Sequence, residues 1–358
     1  MKDFKVKGKV ALAVVIMRSH IYHNGHDYLI DEACKIADNV LILIGSINRS
    51  RSLANPFSYE ERLEMIRPAL TGTKSFKCQV KPLNDYLYVE YDWESEVQRL
   101  AHDHAQHLGL PDDIALVGHL KDNTSYYLRG FPRWKKHHVD NLDAISATPL
   151  REIYFNNAVY PQVSFANCPT STNVFLEKFR KTKEYEWLVG HNRSVLAYKN
   201  DYKDLPHGIN FITGDALVVC HGHLLLIKRR DFPGKDQWAL PGGFKNPGEY
   251  ARDCILRELK EETDINVPPR ALEQAYRGKK MFEDPMRDDR GDFTTHVGSF
   301  ILTDSKLPKV KGMDDAKEAR WFPFAQVRRM SKALYADHYF IIQNMLASGY
   351  GTGFTQQD

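Results

Sequence analysis

Glu258, Glu261 and Glu262 stand at i, i+3 and i+4 of a run, Glu249 to Thr263, that contains neither Gly nor Pro. At helical spacing the three carboxylates share one face. Like charges so placed repel, and a soluble helix gains little from them unless they share a cation. Hard divalent cations take oxygen ligands. Mg²⁺ binds through one or two carboxylates, several waters and substrate phosphates, and Mn²⁺ suits the same donors. Gly242 and Gly243 lie just upstream, where glycine lets backbone approach a ligand. The stretch therefore reads as a Mg²⁺–diphosphate site, with a solvated acidic face as the plainer alternative.

A second chemistry sits near the N-terminus. His23-Asn-Gly25-His26 places two imidazoles around a glycine at a predicted helix start. Helix N-termini favour anions, and imidazole N–H groups can donate to phosphate oxygens as charge develops. The same four residues would also serve as a surface turn. Ser146, Thr148 and Arg151 put two hydroxyls and a guanidinium at another predicted helix start, which again suits phosphate.

The elements that must carry these groups alternate. Val10–Ile16 and Val40–Ile44 are continuous apolar runs of the kind buried in parallel sheets, with an amphipathic helix predicted over Tyr28–Ala37. Ser58-x-x-Glu61 is a capping box opening a helix to about Leu70. A strand over Phe76–Val80, a helix over Trp93–His107 and a strand over Ile114–Val117 continue the pattern. A doubly wound α/β sheet is the economical fold, with ligands at the carboxyl ends of its strands, where His23 to His26 lies. Tyr91 and Trp93 offer ring-stacking surfaces, although core packing is the commoner use.

Helical spacing resumes from Val174 to Leu188, and Asp204-Leu-Pro206-His-Gly208 breaks any helix. The expected domains are 1–200, a linker at 201–208, a second domain at 209–348 and a tail at 349–358. In the second domain Phe211–Val219 and Leu224–Lys228 read as a hairpin around Cys220-His-Gly-His223, a turn rather than a metal site. Strands are expected over Thr295–Leu302 and Glu318–Pro323, and a closing helix over Phe324–Leu346. Before the first of these strands lies a charged loop, Glu283–Asp292, with Arg287 and Arg290.

The box Gly243-x5-Glu249-x7-Arg257-Glu258-Leu259-x-Glu261-Glu262 resembles that of the Nudix hydrolases. Asp264 departs from the pattern, standing where the family has a Gly in left-handed conformation, a state that Asp tolerates. The resemblance implies that Glu258, Glu261 and Glu262 hold the metals and that Glu249 pairs with Arg257. It implies an α/β/α domain with a mixed sheet. The Pro285-x-Arg287-x-x-Arg290-Gly291 segment is similar to that of members acting on ADP-ribose. The general base stays open among Glu261, Glu283 and Asp292.

Four N-terminal segments, in order, resemble the nucleotidyltransferases, and most nearly the nicotinamide mononucleotide (NMN) adenylyltransferases fused to a Nudix domain. They are His23-x-Gly25-His26, Asn55-Pro56-Phe57, Gly118–Tyr127 with Phe131-Pro132-x-Trp134, and Ile145-Ser146-x-Thr148-x-x-Arg151. The resemblance implies that His23, His26, Ser146, Thr148 and Arg151 bind ATP phosphates, with Arg18, Gly25, Lys121 and Asp122 completing the ATP and NMN site. Met17, Ser19 and Ile21 replace the family's Gly, Phe and Pro, which implies slower adenylyl transfer or a silent scaffold. The resulting expectation is a bifunctional enzyme. It would make NAD from ATP and NMN, and hydrolyse ADP-ribose to AMP and ribose 5-phosphate with Mg²⁺. Rivals are another acceptor such as phosphopantetheine, another nucleoside diphosphate substrate, and a regulator sensing NAD metabolites.

With 358 residues, 42% hydrophobic and 27% charged, the chain fits a two-domain soluble protein. A net charge of +3 argues against a dedicated nucleic-acid binder. No apolar run is long enough for a membrane span. Five cysteines without a CxxC pair read as reduced cytoplasmic thiols. A homo-oligomer is compatible with these features.

Overall fold

The computed structural model describes residues 6–119, 130–140, 146–156, 165–205 and 208–350, without the side chains of residues 90 and 91. The chain divides into two compact units, Met1–Val189 and Gly190–Asp358.

Unit 1 begins β1 (Leu12–Met17), α1 (Asn24–Ile36), β2 (Val40–Ile44), α2 (Tyr59–Ile66) and the single turn α3 (Lys74–Lys77). It continues β3 (Cys78–Pro82), α4 (Glu90–His107), β4 (Ile114–Gly118), β5 (Lys135–His138), α5 (Ala147–Asn156) and α6 (Thr170–Phe179). Helix α7 (Lys183–Tyr202) contains the boundary between the units, ahead of the expected linker at 201–208. The strands form an all-parallel sheet in the order β3-β2-β1-β4-β5.

Alternation along each strand explains the continuous apolar runs. Leu12, Val14, Leu41 and Leu43 pack with Val97 and Ala101 of α4. Ala13, Val15, Ile42 and Ile44 pack with Leu29, Ile30 and Ala33 of α1. Both faces of the sheet are covered, so every strand position of β2 is buried, as the doubly wound fold requires.

Helix α1 starts earlier than the expected Tyr28. The His23 ring caps it, and Asn24, Gly25 and His26 begin its first turn. Strand β3 begins at Cys78 rather than Phe76 because α3 takes up the preceding residues, leaving Phe76 exposed.

Unit 2 begins β6 (Asn210–Cys220), β7 (His223–Arg229), β8 (Trp238–Ala239), β9 (Gly242–Phe244), α8 (Ala251–Thr263) and α9 (Pro269–Ala275). It ends with β10 (Tyr276–Phe282), β11 (Asp292–Leu302), β12 (Ala316–Pro323), α10 (Phe324–Val327) and α11 (His338–Ala347). The sheet is mixed: β6 and β11 run parallel, whereas β10 pairs antiparallel with β11, and β7 antiparallel with β6 and β12. Strand β9 pairs with β6, which sets the glycine pair against Gly214 and Asp215. Ile255 and Leu259 of α8 pack on Ala216 and Val218 of β6 and on Phe300 of β11.

The expected closing helix over Phe324–Leu346 is two helices instead. Between α10 and α11 the chain leaves helical geometry to pair with β8: Trp238 N donates to Ala333 O at 2.9 Å, and Tyr335 N to Trp238 O at 2.7 Å.

Candidate active sites

In unit 1 the backbone N–H groups at the start of α1 need acceptors, and two imidazoles supply them. Nδ1 of His23 accepts from Gly25 N at 3.2 Å, and Nδ1 of His26 accepts from His23 N at 3.3 Å. The rings lie 3.9 Å apart by centroid. With both Nδ1 atoms accepting, each neutral ring carries its proton on Nε2, the donor that phosphate binding requires. Tyr22 stacks on His26 and donates to Asp27 at 2.8 Å, which fixes the turn from its other side.

The loop after β1 is held from below by Arg62. This fully buried residue of α2 donates to the carbonyls of Arg18 at 2.8 Å and Gly45 at 2.7 Å. Burial lowers its pKa to about 10. Nearby, Nε2 of His20 meets Oδ1 of Asn55 at 3.1 Å. An amide oxygen only accepts, so Nε2 of His20 carries the proton. Burial, then the charges of Arg62, Arg151 and Arg18, push the His20 pKa well below its usual range. Three guanidiniums thus converge electrostatically on this loop, although the sequence pointed only to Arg18 and Arg151.

Ser146 and Thr148 lie at the entry to α5. Ser146 Oγ accepts from Thr148 N at 3.4 Å, and Arg151 Nη2 donates to Thr148 Oγ1 at 3.1 Å. Lys121 and Asp122 lie outside the described residues, as does the Tyr91 side chain. Trp93 packs against the core and meets Phe131 at 6.3 Å, the core use rather than the ligand-stacking one. The family departures take distinct roles. Met17 ends β1 with its side chain in the core, while Ser19 (φ 52°) and Ile21 (φ 141°) carry the positive backbone angles. The left-handed strain thus falls two and four residues beyond Met17, which needs no glycine-like freedom.

In unit 2 the glycine pair and the acidic helix close on each other. Gly242 N donates to Glu262 Oε2 at 2.8 Å. A Cβ on Gly243 would lie 2.6 Å from the Glu258 carboxyl carbon, and one on Gly242 would strike Asp215 and the Gly214 carbonyl. Arg257 is the hub: it grips Glu249 in bidentate fashion at 2.9 and 3.0 Å, and also reaches Glu258 at 2.6 Å and Glu261 at 2.9 Å. A further bond to the Phe244 carbonyl at 3.0 Å ties the loop to α8. Glu249 is held at about 2 by its bonds from Arg257. Asp264 takes the left-handed C-cap position with φ 41° and ψ 40°.

Glu262 is 4% exposed, and burial pushes its pKa to about 8 against the single N–H of Gly242. Burial also raises Glu258, against the opposing effect of Arg257. Among the described residues no group of three or more His, Cys, Asp or Glu is gathered as a ready metal cage. The donor chemistry nevertheless fits a divalent cation. A buried carboxylate lacks a full counter-charge, a second lies across a cradle that admits no side chain, and both are oxygen donors.

Asp215 escaped the sequence reading because it lies inside the apolar run of β6. It is buried, accepts from the Thr295 hydroxyl and lies beside Gly242. His338 of α11 was missed as well; its Nδ1 accepts from Leu240 N at 3.0 Å, just before the glycine pair.

The charged loop is not free surface. Arg287 is buried in a bidentate pair with Asp337, both contacts at 3.1 Å. Arg290 pairs with Asp288 at 2.8 and 2.9 Å and lies over the rings of Phe293 at 4.4 Å, Tyr198 at 5.4 Å and Phe244 at 5.6 Å. Phe244 follows Gly243 directly, so Arg290 lines the end of the cradle. Glu261, Glu283 and Asp292 are exposed, and nothing in their contacts distinguishes one as the base.

The comparisons follow the same division. The NUDIX domain model matches residues 213–345 and the cytidylyltransferase-like model residues 20–118. A nicotinamide/nicotinic acid mononucleotide adenylyltransferase of Acinetobacter baylyi is 30% identical over 179 residues, 49% of this chain and 89% of that protein. An ADP-ribose pyrophosphatase of Methanocaldococcus jannaschii is 34% identical over 133 residues, 37% of this chain and 70% of that protein. A crystal structure of a bifunctional NMN adenylyltransferase/ADP ribose pyrophosphatase from Francisella tularensis, complexed with AMP and a Mn ion, matches with a TM-score of 0.87 and 36% identity. That match covers 95% of this chain and 99% of the other. With both halves matched and nearly the whole of a bifunctional protein covered at 36% identity, the chain belongs to the family of bifunctional NMN adenylyltransferase/ADP-ribose pyrophosphatase enzymes.

Proposed function

We propose that unit 1 transfers the adenylyl group of ATP to NMN, giving NAD and pyrophosphate, and that unit 2 hydrolyses ADP-ribose to AMP and ribose 5-phosphate. The observation that carries the reading is that each unit holds its own phosphate-directed site within one family-wide match: a histidine-capped helix start in one, a glycine–carboxylate cradle in the other.

In unit 1 the NMN phosphate attacks the α-phosphorus of ATP directly, so the protein's work is positioning and charge stabilisation. His23 and His26 donate to ATP phosphates, with Arg18, Ser146, Thr148 and Arg151 around them. Gly25 keeps the first turn of α1 open, and Lys121 and Asp122 complete the NMN side.

In unit 2 Glu258 and Glu262, with Glu261 beside them, would hold a divalent cation, Mg²⁺ by preference, which would supply charge neutralisation at the diphosphate and a more acidic water. Gly242 and Gly243 keep the cradle clear of side chains. Arg257 and Glu249 orient Glu258 and Glu261. Arg290, backed by Asp288, faces the substrate end of the cradle, and Arg287 holds that loop in place through Asp337. Both substrate sets are small molecules. No helix among the described residues is long and apolar enough to cross a membrane, and a cytoplasmic location suits these substrates.

Incubation with ATP, NMN and Mg²⁺, and separately with ADP-ribose and Mg²⁺, tests the assignment by chromatography of products. NAD in the first and AMP in the second are expected. Hydrolysis without NAD would leave unit 1 a scaffold.

A further inference from the structure

Far apart in sequence, Cys34 and Cys78 meet in unit 1, with their sulfurs 3.7 Å apart. Cys34 is on the last turns of α1, and Cys78 is the first residue of the edge strand β3. Both are half-buried, whereas Cys168, Cys220 and Cys254 are buried. Their approach is held on both sides. Lys77 Nζ donates to the carbonyls of Cys34 at 3.0 Å and Ala37 at 3.2 Å and to Asp38 at 2.7 Å, and Cys78 is in register with Val40. A disulfide needs about 2.05 Å between sulfurs, so the pair must close by about 1.6 Å, within reach of side-chain torsions.

We propose that Cys34 and Cys78 are an oxidisable thiol pair, a modification site that hydroperoxides convert to an intramolecular disulfide. Either sulfur can donate across the 3.7 Å contact; that contact, with support from Lys77 and Lys74, favours the thiolate on Cys34, against burial and Asp31. Cys34 is therefore the attacking sulfur. Its thiolate forms an S–O bond to the peroxide, the O–O bond breaks, and the departing oxygen takes a proton to leave as alcohol or water. Cys78 then gives up its proton and attacks the Cys34 sulfenic sulfur. The S–S bond forms, the S–O bond breaks, and hydroxide leaves with that proton as water. Two thiols are oxidised and one peroxide is reduced. The disulfide ties the helix that carries His23 and His26 to the sheet edge.

The test uses the full-length protein treated with hydrogen peroxide, alkylated with iodoacetamide and mapped under non-reducing conditions. A cross-linked peptide pair containing Cys34 and Cys78 is expected, with both thiols lost to alkylation together and restored by dithiothreitol. In C78S, dimedone should trap a sulfenic acid on Cys34. The proposal is overturned if wild-type protein keeps both thiols alkylatable after peroxide. It is equally overturned if Cys34 reaches sulfinic acid with no cross-link to Cys78.

Discussion

Glu262 is a buried carboxylate that accepts from the Gly242 N–H, and a cation would resolve the conflict between its charge and its burial. Glu262→Gln keeps the bond from Gly242 N while removing the charge. Hydrolysis should fall at least about a hundredfold, the scale of losing a key electrostatic contact. Gly243→Ala tests the cradle by sterics alone, because its Cβ would press on the Glu258 carboxylate at 2.6 Å. A kcat loss of about tenfold or more is expected, from displacing a ligand rather than from unfolding. The loop arginines should part company. Arg287→Ala removes the guanidinium that pairs with the buried Asp337 carboxylate and should cost about 3–5 kcal/mol, read as a lower urea midpoint. Arg290→Ala should instead raise KM for ADP-ribose. A KM unmoved by it would place specificity elsewhere.

At the scale of elements, the C-terminus of α8 offers a clean stability test. Asp264 is left-handed with φ 41°, and Gly takes that conformation without a Cβ penalty. Asp264→Gly should stabilise the unit by up to about 1 kcal/mol and leave kcat unchanged. The sequence exposed the elements whose burial is simple. Strands β1, β2 and β4, the Ser58–Glu61 capping box and α8 were legible because an apolar run, a cap or a charge face marks each. Strand β5 reads Lys-Lys-His-His and β10 carries three cations, so neither shows a strand pattern; each lies at a sheet edge, where solvent accepts polar side chains. The start of α1 was placed four residues late, at Tyr28 rather than Asn24, because histidine is an uncommon cap. The glutamate cluster of α8 was legible by spacing, whereas Asp215, Arg62 and His338 were not, since their partners come from distant segments.

Across the whole molecule, buried neutral histidines set an acid limit. The His20 pKa is depressed by burial and by Arg62, Arg151 and Arg18. The unfolded chain therefore binds the proton more readily than the native one, and stability falls as pH drops below about 6.5, the unfolded value. His338 in unit 2 shifts the same way through burial. His20→Gln should shrink the change in urea midpoint of unit 1 between about pH 7.5 and about pH 5.5. An unaltered change would mean that His20 is solvated in the native state.

If two separate sites perform the two reactions, His26→Ala and Glu262→Gln should have opposite effects on them. NAD synthesis and ADP-ribose hydrolysis would be measured as kcat on the same preparations of each variant and of the wild type. His26→Ala should lose NAD synthesis, mainly in kcat because the contact strengthens as charge develops, and keep hydrolysis. Glu262→Gln should lose hydrolysis and keep NAD synthesis. Parallel loss of both activities in either variant, with the fold intact, would mean that the two reactions do not have separate sites.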